Sequence, residues 1–201
     1  MGGLLTKVAP SAMKKGFIFD LDGTLADTMP AHFAAWTAIA ARYGLTFPEA
    51  RFYSLGGVPT RKIAELLVAE AGASVDPQTV ALEKEQAFVD QLSRPGVIRP
   101  IQKVVDIARA CRSHGGMAIA SGGRRHLVER TLGIIQIADW FQAVVAAEDT
   151  TRHKPEPDVF LEAARRLGVE AAACTVYEDT DLGLEAARRA GMAFVDIRPL
   201  L

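Results

Sequence analysis

The sequence predicts an α/β protein: a doubly wound parallel sheet with a small helical unit inserted after its first strand. Three observations lead there. A short apolar run, Gly16-Phe17-Ile18-Phe19, ends in two nearby acids, Asp20 and Asp22. From residue 97 onward, short apolar runs alternate with segments of helical period, the pattern of right-handed βαβ units. Between these regions, residues 30–92 read mainly as helix.

Each element has its own signal. Gly16–Phe19 has the length and aromatic content of a buried strand. Phe33, Trp36, Ile39, Ala40 and Tyr43 recur at helical spacing across His32–Tyr43. Thr60 is placed to N-cap a helix running through Ala69, with Ile63, Leu66 and Leu67 as its apolar face. Thr79–Leu92 repeats the period through Val80, Leu82, Phe88 and Val89, and Ser93-Arg94-Pro95-Gly96 then breaks the chain. Further helices are predicted over Ile101–His114, His126–Gly133, Pro157–Leu167 and Leu182–Ala190. Strands are predicted at Met117–Ala120, Ala143–Ala146, Cys174–Tyr177 and Ala193–Val195. Residues 1–13 precede the first strand and are expected to form a flexible tail.

Composition narrows the function classes. A chain of 201 residues, 49% hydrophobic and 23% charged, can bury one sizeable core and a small appendage. Its 23 basic and 24 acidic residues leave a net charge of −1, so no broad footprint for nucleic acid or an anionic membrane is expected. The two cysteines, Cys111 and Cys174, have no CxxC spacing, which argues against a disulfide scaffold or a structural zinc site. No apolar run reaches membrane-spanning length, and the apolar pieces near the N-terminus are too short and broken for a secretory signal. The expectation is a cytoplasmic monomer whose partner is neither nucleic acid nor membrane.

In a doubly wound sheet the ligand sits beyond the carboxyl ends of the strands, at a topological switch point. Polar residues gather there: Asp20 and Asp22, Ser121, and Glu178 with Asp179, while Lys154 lies in the loop after the 143–146 strand. In Asp20-Leu21-Asp22-Gly23-Thr24, alternation along an extended chain puts both carboxylates on one side. One could attack an electrophile and form an acyl-phosphate, and the other could protonate a leaving oxygen and then activate water. Asp-Gly is also common in an ordinary turn. Glu178-Asp179-Thr180-Asp181 adds acids that suit a hard cation such as Mg²⁺, although helix-dipole acids at the start of the 182–190 helix read equally simply, and Asp181 is assigned that role. Ser121-Gly122-Gly123 offers a hydroxyl and free N–H groups to a phosphate, or a plain helix cap. Lys154, between His153 and Pro155, supplies a fixed charge for phosphoryl oxygens unless it is simply solvated.

In combination and in this order, Asp20–Thr24, Ser121, Lys154-Pro155 and Glu178-Asp179 resemble the motifs of the haloacid dehalogenase superfamily of phosphotransferases. The resemblance spans the chain from about residue 14. It implies Asp20 as nucleophile and Asp22 as general acid and base. It implies Mg²⁺ held by Asp20, Asp22 (through its backbone carbonyl) and Asp179, with Glu178 close by, and phosphate held by Ser121, Gly122 and Lys154. The second Asp of the motif excludes the true haloalkanoate dehalogenases. The implied architecture is a catalytic core of residues 14–28 and 94–201, with residues 29–93 as a helical cap that closes over the substrate.

Within the superfamily the chain looks most like the β-phosphoglucomutase-like proteins, which include sugar phosphatases acting on fructose 1-phosphate. That likeness points to cap residues His32, Trp36, Gly57, Thr60, Arg61 and Lys84. Trp36 either packs the cap or shields the site. His32 is placed to hydrogen-bond near Asp22. Lys84 either contacts phosphate or sugar or is solvated. Gly57 lies either in a plain turn or in the substrate-facing cap loop, and the likeness favours the loop. Thr60 stands where the mutase carries an Arg that holds a second phosphate, and Arg61 follows it. Thr24 and Asp181 follow the phosphatase pattern. The expected function is a Mg²⁺-dependent phosphatase of small sugar phosphates, with β-phosphoglucomutase as the alternative.

Overall fold

In the computed structural model, which describes residues 14–201, the predicted alternation is realised; the tail expected at residues 1–13 lies outside the described residues. In chain order come β1 (Gly16–Phe19), β2 (Ala26–Asp27), α1 (Met29–Tyr43), α2 (Glu49–Ser54), α3 (Thr60–Ala71) and α4 (Pro77–Leu92). Then follow β3 (Arg99–Pro100), α5 (Gln102–Cys111), β4 (Gly116–Ala120), α6 (Arg125–Ile134) and β5 (Ala143–Val145). The chain closes with α7 (Asp158–Leu167), β6 (Cys174–Glu178), α8 (Asp181–Arg189) and β7 (Ala193–Asp196).

Five strands form one sheet in the order β5-β4-β1-β6-β7, and every neighbouring pair is parallel. The alternation of side chains across the pleat divides its apolar residues between two faces. Phe19, Met117, Ile119 and Tyr177 pack with α5 and α6, whereas Ile18, Ala118, Ala120 and Val176 pack with α7 and α8. Burial on both faces explains why these strands read as continuous apolar runs. The register sets Phe19 opposite Ile119 on one side and Tyr177 on the other. Asp20 and Glu178 therefore emerge at the same level, with Ser121 just beyond the end of β4. Strand β1 is also where the order reverses, which makes its carboxyl end the switch point.

Helices α1–α4 have an apolar cluster of their own around Trp36, Ile39, Phe52, Ile63, Leu67 and Val80. Their base is different: Ala31, Ala35, Phe88 and Leu92 join the cluster on the α5/α6 side of the sheet. The chain leaves and re-enters the sheet region through a short antiparallel pair, β2 with β3, in which Ala26 faces Pro100 and Asp27 faces Arg99. Among the described residues no helix is long and apolar enough to cross a membrane.

Several local expectations are corrected. Thr60 is not an N-cap: it is the first residue of α3, Pro59 occupies the cap position, and no side chain caps the helix. Helix α4 starts at Pro77, where the Asp76 carboxylate accepts from the Gln78 N–H, two residues before the predicted start. At α8 the cap is Thr180, which accepts from the Gly183 N–H, while Asp181 keeps the first-turn role assigned to it and pairs with Arg198. Helix α1 begins at Met29 because Pro30 suits a first turn that has no use for its missing N–H. Helix α2, with six residues, is shorter than the window in which helical period is visible, and β2 and β3 have two residues each.

Candidate active site

At the carboxyl end of β1 the chain turns out of the sheet and leaves Asp20 5% exposed. The Lys154 ammonium donates to Asp20 Oδ1 at 2.6 Å and to Glu178 Oε2 at 2.7 Å. All three are buried, and the ammonium also lies 5.1 Å from the centre of the Phe160 ring. Glu178 keeps its second oxygen for Thr180, accepting from its N–H at 3.0 Å and its hydroxyl at 2.7 Å. Asp179 accepts from the Thr24 hydroxyl at 2.7 Å. Two glycines make room for this packing. Gly23 has φ +86°, and a Cβ there would meet the Asp179 carboxylate. A Cβ on Gly183 would collide with the Glu178 carboxyl group.

Asp20, Glu178 and Asp179 each present an oxygen within 4.8 Å of the others. Burial raises the Asp20 pKa well above its ordinary value; Lys154 opposes the rise, while Glu178, Asp179 and Asp22 add to it. Burial and the Glu178 charge likewise push Asp179 up to about 7, against the Thr24 hydrogen bond and Lys154. On Lys154, burial favours the neutral amine, yet the Asp20 and Glu178 charges outweigh it and hold the ammonium firmly protonated. One ammonium facing three crowded carboxylates leaves an excess of negative charge. An all-oxygen donor set with such an excess fits a hard divalent cation.

Asp22 turns its carboxylate another way. It accepts from the Thr28 hydroxyl at 2.7 Å, and His32 Nε2 lies 3.5 Å away. His32 Nδ1 is 2.7 Å from the Lys84 ammonium. An ammonium has only donors, so Nδ1 accepts and the ring proton resides on Nε2, facing Asp22. Spacing along two helices builds this chain of contacts: His32 and Trp36 are one turn apart on α1, and Lys84 and Phe88 one turn apart on α4. His32 stacks on Phe88 with 3.7 Å between ring centres. Lys84 is 2% exposed and lies 5.6 Å and 5.3 Å from the Trp36 and Phe88 ring centres.

Burial lowers the Lys84 pKa to about 8, although Asp22 and Glu85 pull it upward. Burial and the neighbouring Lys84 charge lower that of His32, against the pull of Asp22. For Asp22, burial favours the acid, but His32, the Thr28 hydroxyl and Lys84 outweigh it and hold the carboxyl below its ordinary value.

Ser121, 1% exposed, accepts from the Gly123 N–H at 3.0 Å, and its own N–H donates to the Val145 carbonyl. Gly122 faces the Gly57 carbonyl, which a Cβ would approach to 3.2 Å. Gly57 itself has φ +83°. The structure brings most of the predicted residues to one cavity. Asp20, Asp22, Ser121, Gly122 and Glu178 line it from the sheet side. His32, Trp36, Gly57, Thr60 and Lys84 line it from the helical side. Asp179 borders it from a neighbouring crevice, and Lys154 lies behind Asp20. Arg61 is not among the residues of this cavity; it bonds Glu65 on its own helix and is 70% exposed as a side chain. Sequence reading assigned no role to Phe88, Thr180 or Gly183. The run of helical period containing Phe88 was visible, but not that its ring would lie under His32.

Residues 17–197 match the family described as haloacid dehalogenase-like hydrolase. The chain is 38% identical over 185 residues to fructose-1-phosphate phosphatase YqaB of Escherichia coli, covering 92% of this chain and 97% of that relative. It is 29% identical to the β-phosphoglucomutase of Bacillus subtilis, covering 91% of this chain and 83% of that enzyme. Its backbone resembles the crystal structure of a β-phosphoglucomutase from Clostridium difficile with a TM-score of 0.81 at 24% identity, covering 92% and 84% of the two chains.

Proposed function

Because this chain belongs to the haloacid dehalogenase-like hydrolase family, we propose that it is a Mg²⁺-dependent phosphatase acting on small sugar phosphates of the fructose 1-phosphate kind. The observation that carries the reading is the pairing of two differently held carboxylates in one cavity. Asp20 is fixed by Lys154 beside Glu178 and Asp179, and Asp22 is held apart by Thr28 and His32. The name of the Escherichia coli relative supports the substrate class.

In this reading a carboxylate oxygen of Asp20 bonds to phosphorus while the bond to the sugar oxygen breaks. Asp22 delivers a proton to that departing oxygen. A water then attacks phosphorus, Asp22 takes its proton, and the Asp20 carboxylate leaves as inorganic phosphate forms. The Thr28 and His32 contacts favour the carboxylate form of Asp22, which is the form the water step uses. Lys154 fixes Asp20, and its charge, with the Ser121 hydroxyl and the Gly122 N–H, holds the phosphoryl oxygens. Asp20, Asp179 and the Asp22 backbone carbonyl, with Glu178 close by, would hold Mg²⁺, which supplies positive charge to the phosphoryl group.

Residues 29–93 act as a cap over the core of residues 14–28 and 94–201. Trp36, Gly57 and Thr60 face the sugar, and Lys84 acts through His32 on Asp22. The protein works as a cytoplasmic monomer on a soluble metabolite. The alternative, β-phosphoglucomutase, is favoured by the Bacillus subtilis relative. It needs a cation for a second phosphate. Thr60 offers none and Arg61 is turned onto Glu65, which supports the phosphatase.

The test is phosphate release with Mg²⁺ from fructose 1-phosphate and both anomers of glucose 1-phosphate, with glucose 6-phosphate followed in the same reactions. Free phosphate that disappears with Asp20→Asn is the expected result. Glucose 6-phosphate from the β anomer with little free phosphate would make the protein the mutase.

A further inference from the structure

The reaction cavity continues into an outer cleft that shares Asp22, His32, Thr60 and Lys84 with it. A part of a substrate that reaches out of the cavity past Thr60 and Lys84 enters this cleft. The lysine and arginine side chains that line it are Arg61, Lys84 and Arg124. Two are already committed: Arg61 to Glu65 at 3.1 Å and Lys84 to His32 at 2.7 Å.

Arg124 is held by two carboxylates. Its Nη1 donates to Glu85 at 3.0 Å and its Nε to Glu148 at 3.2 Å. Glu148 is anchored in turn by the Arg125 N–H at 3.1 Å. Glu85 belongs to α4, whose preceding residue is Lys84, and its side chain is only 15% exposed. Among the described residues, Arg124 with Glu85 is the one guanidinium–carboxylate pair that joins the α1–α4 unit to the sheet unit. Two carboxylates on one guanidinium leave this wall of the cleft with a net negative charge. A second phosphoryl group entering here would meet like charge and find no uncommitted ammonium or guanidinium among those three. Discrimination of this kind works by repelling the wrong ligand rather than by binding the right one more tightly.

We propose that Glu85 and Glu148, by clamping Arg124, are specificity-determining residues that make the cleft accept sugar monophosphates and reject sugar bisphosphates. The proposal rests on reading the adjoining cavity as the phosphate site, and it adds what selects the rest of the substrate.

The experiment measures binding without turnover. Fructose 1-phosphate and fructose 1,6-bisphosphate are titrated with Mg²⁺ into Asp20→Asn and into Asp20→Asn carrying Glu85→Gln and Glu148→Gln. The expected result is at least a ~10-fold preference for the monophosphate in the first protein. In the second, that preference falls by ~10-fold or more, through tighter bisphosphate binding. Adding Arg124→Gln to the second protein should remove the gained bisphosphate affinity. Since Glu148 also anchors the start of α6, Glu85→Gln alone serves as the milder variant and should shift the ratio in the same direction. Equal binding of the two sugars by the Asp20→Asn protein, an unchanged ratio in the Gln variants, or binding of neither sugar would overturn the proposal. Phosphate release by the unsubstituted chain, run in parallel, reports on the phosphatase reading separately.

Discussion

The Lys154 ammonium lies 2.6 Å from the Asp20 carboxylate across 134 residues of sequence, with both groups buried. Glu178 completes the arrangement from the other side at 2.7 Å. Removing one member of such a buried group leaves the others without compensation, which is where its energetic weight lies. Lys154→Met should therefore cost about 3–5 kcal/mol of stability, and lower phosphate release by roughly 10³-fold through lost charge at the phosphoryl group. Urea unfolding and a steady-state assay check both. An unfolding midpoint equal to that of the unsubstituted chain would show that Lys154 does not balance these acids.

Mg²⁺ should raise the melting temperature, and Asp179→Asn should erase most of that rise. The pH dependence follows from Asp179, pushed up to about 7. Between its ordinary value and 7 the metal-free folded chain binds more protons than the unfolded chain, so this group lowers stability as pH rises through that window. A bound cation needs the deprotonated carboxylate, so the stabilisation it confers grows over the same window. Thermal melts at pH 5.5 and 7.5, with and without Mg²⁺, should show the larger shift at the higher pH. Equal shifts at both would count against Asp179 as a ligand.

Lys84 provides the opposite slope. Its pKa falls from the usual 10.5 to about 8 on burial. Between these values the unfolded chain holds more protons than the folded one, so stability rises with pH from about 8 to about 10.5. The full change is about 3 kcal/mol. It should be absent in Lys84→Met, so the unfolding free energy of the unsubstituted chain should rise relative to that of the variant from about pH 8 to about 10.5. A constant difference would mean that Lys84 does not titrate in this range.

Gly183→Ala inverts a familiar trend. In an exposed helix interior, replacing glycine by alanine stabilises by about 1 kcal/mol. At position 183 the new methyl group would collide with the Glu178 carboxyl group, which is fully buried and bonded to Lys154 and Thr180. The expected result is a loss of about 1–3 kcal/mol, accompanied by reduced turnover, read by denaturant unfolding and assay. Stabilisation would show that Glu178 can move without cost.

Much of this protein was legible in one dimension. Apolar runs alternating with helical period specify a parallel sheet, because strands covered on both faces need no polar alternation. Asp20, Ser121 and Glu178 each directly follow or close such a run, so their convergence follows from strand order and register alone. What the sequence could not decide is which polar residue of a helix turns inward. Lys84 and Glu85 are adjacent on α4, yet one is buried against His32, 52 residues away, and the other reaches across to Arg124. The position of Arg124 against Glu85 depends on how α4 sits over the sheet, whereas Arg61 meets Glu65 one turn further along its own helix. Helical period marks a buried stripe but carries no information about its partner. That choice is made by packing between elements distant in sequence, so only the tertiary structure decided which charges reach the substrate and which are spent on one another.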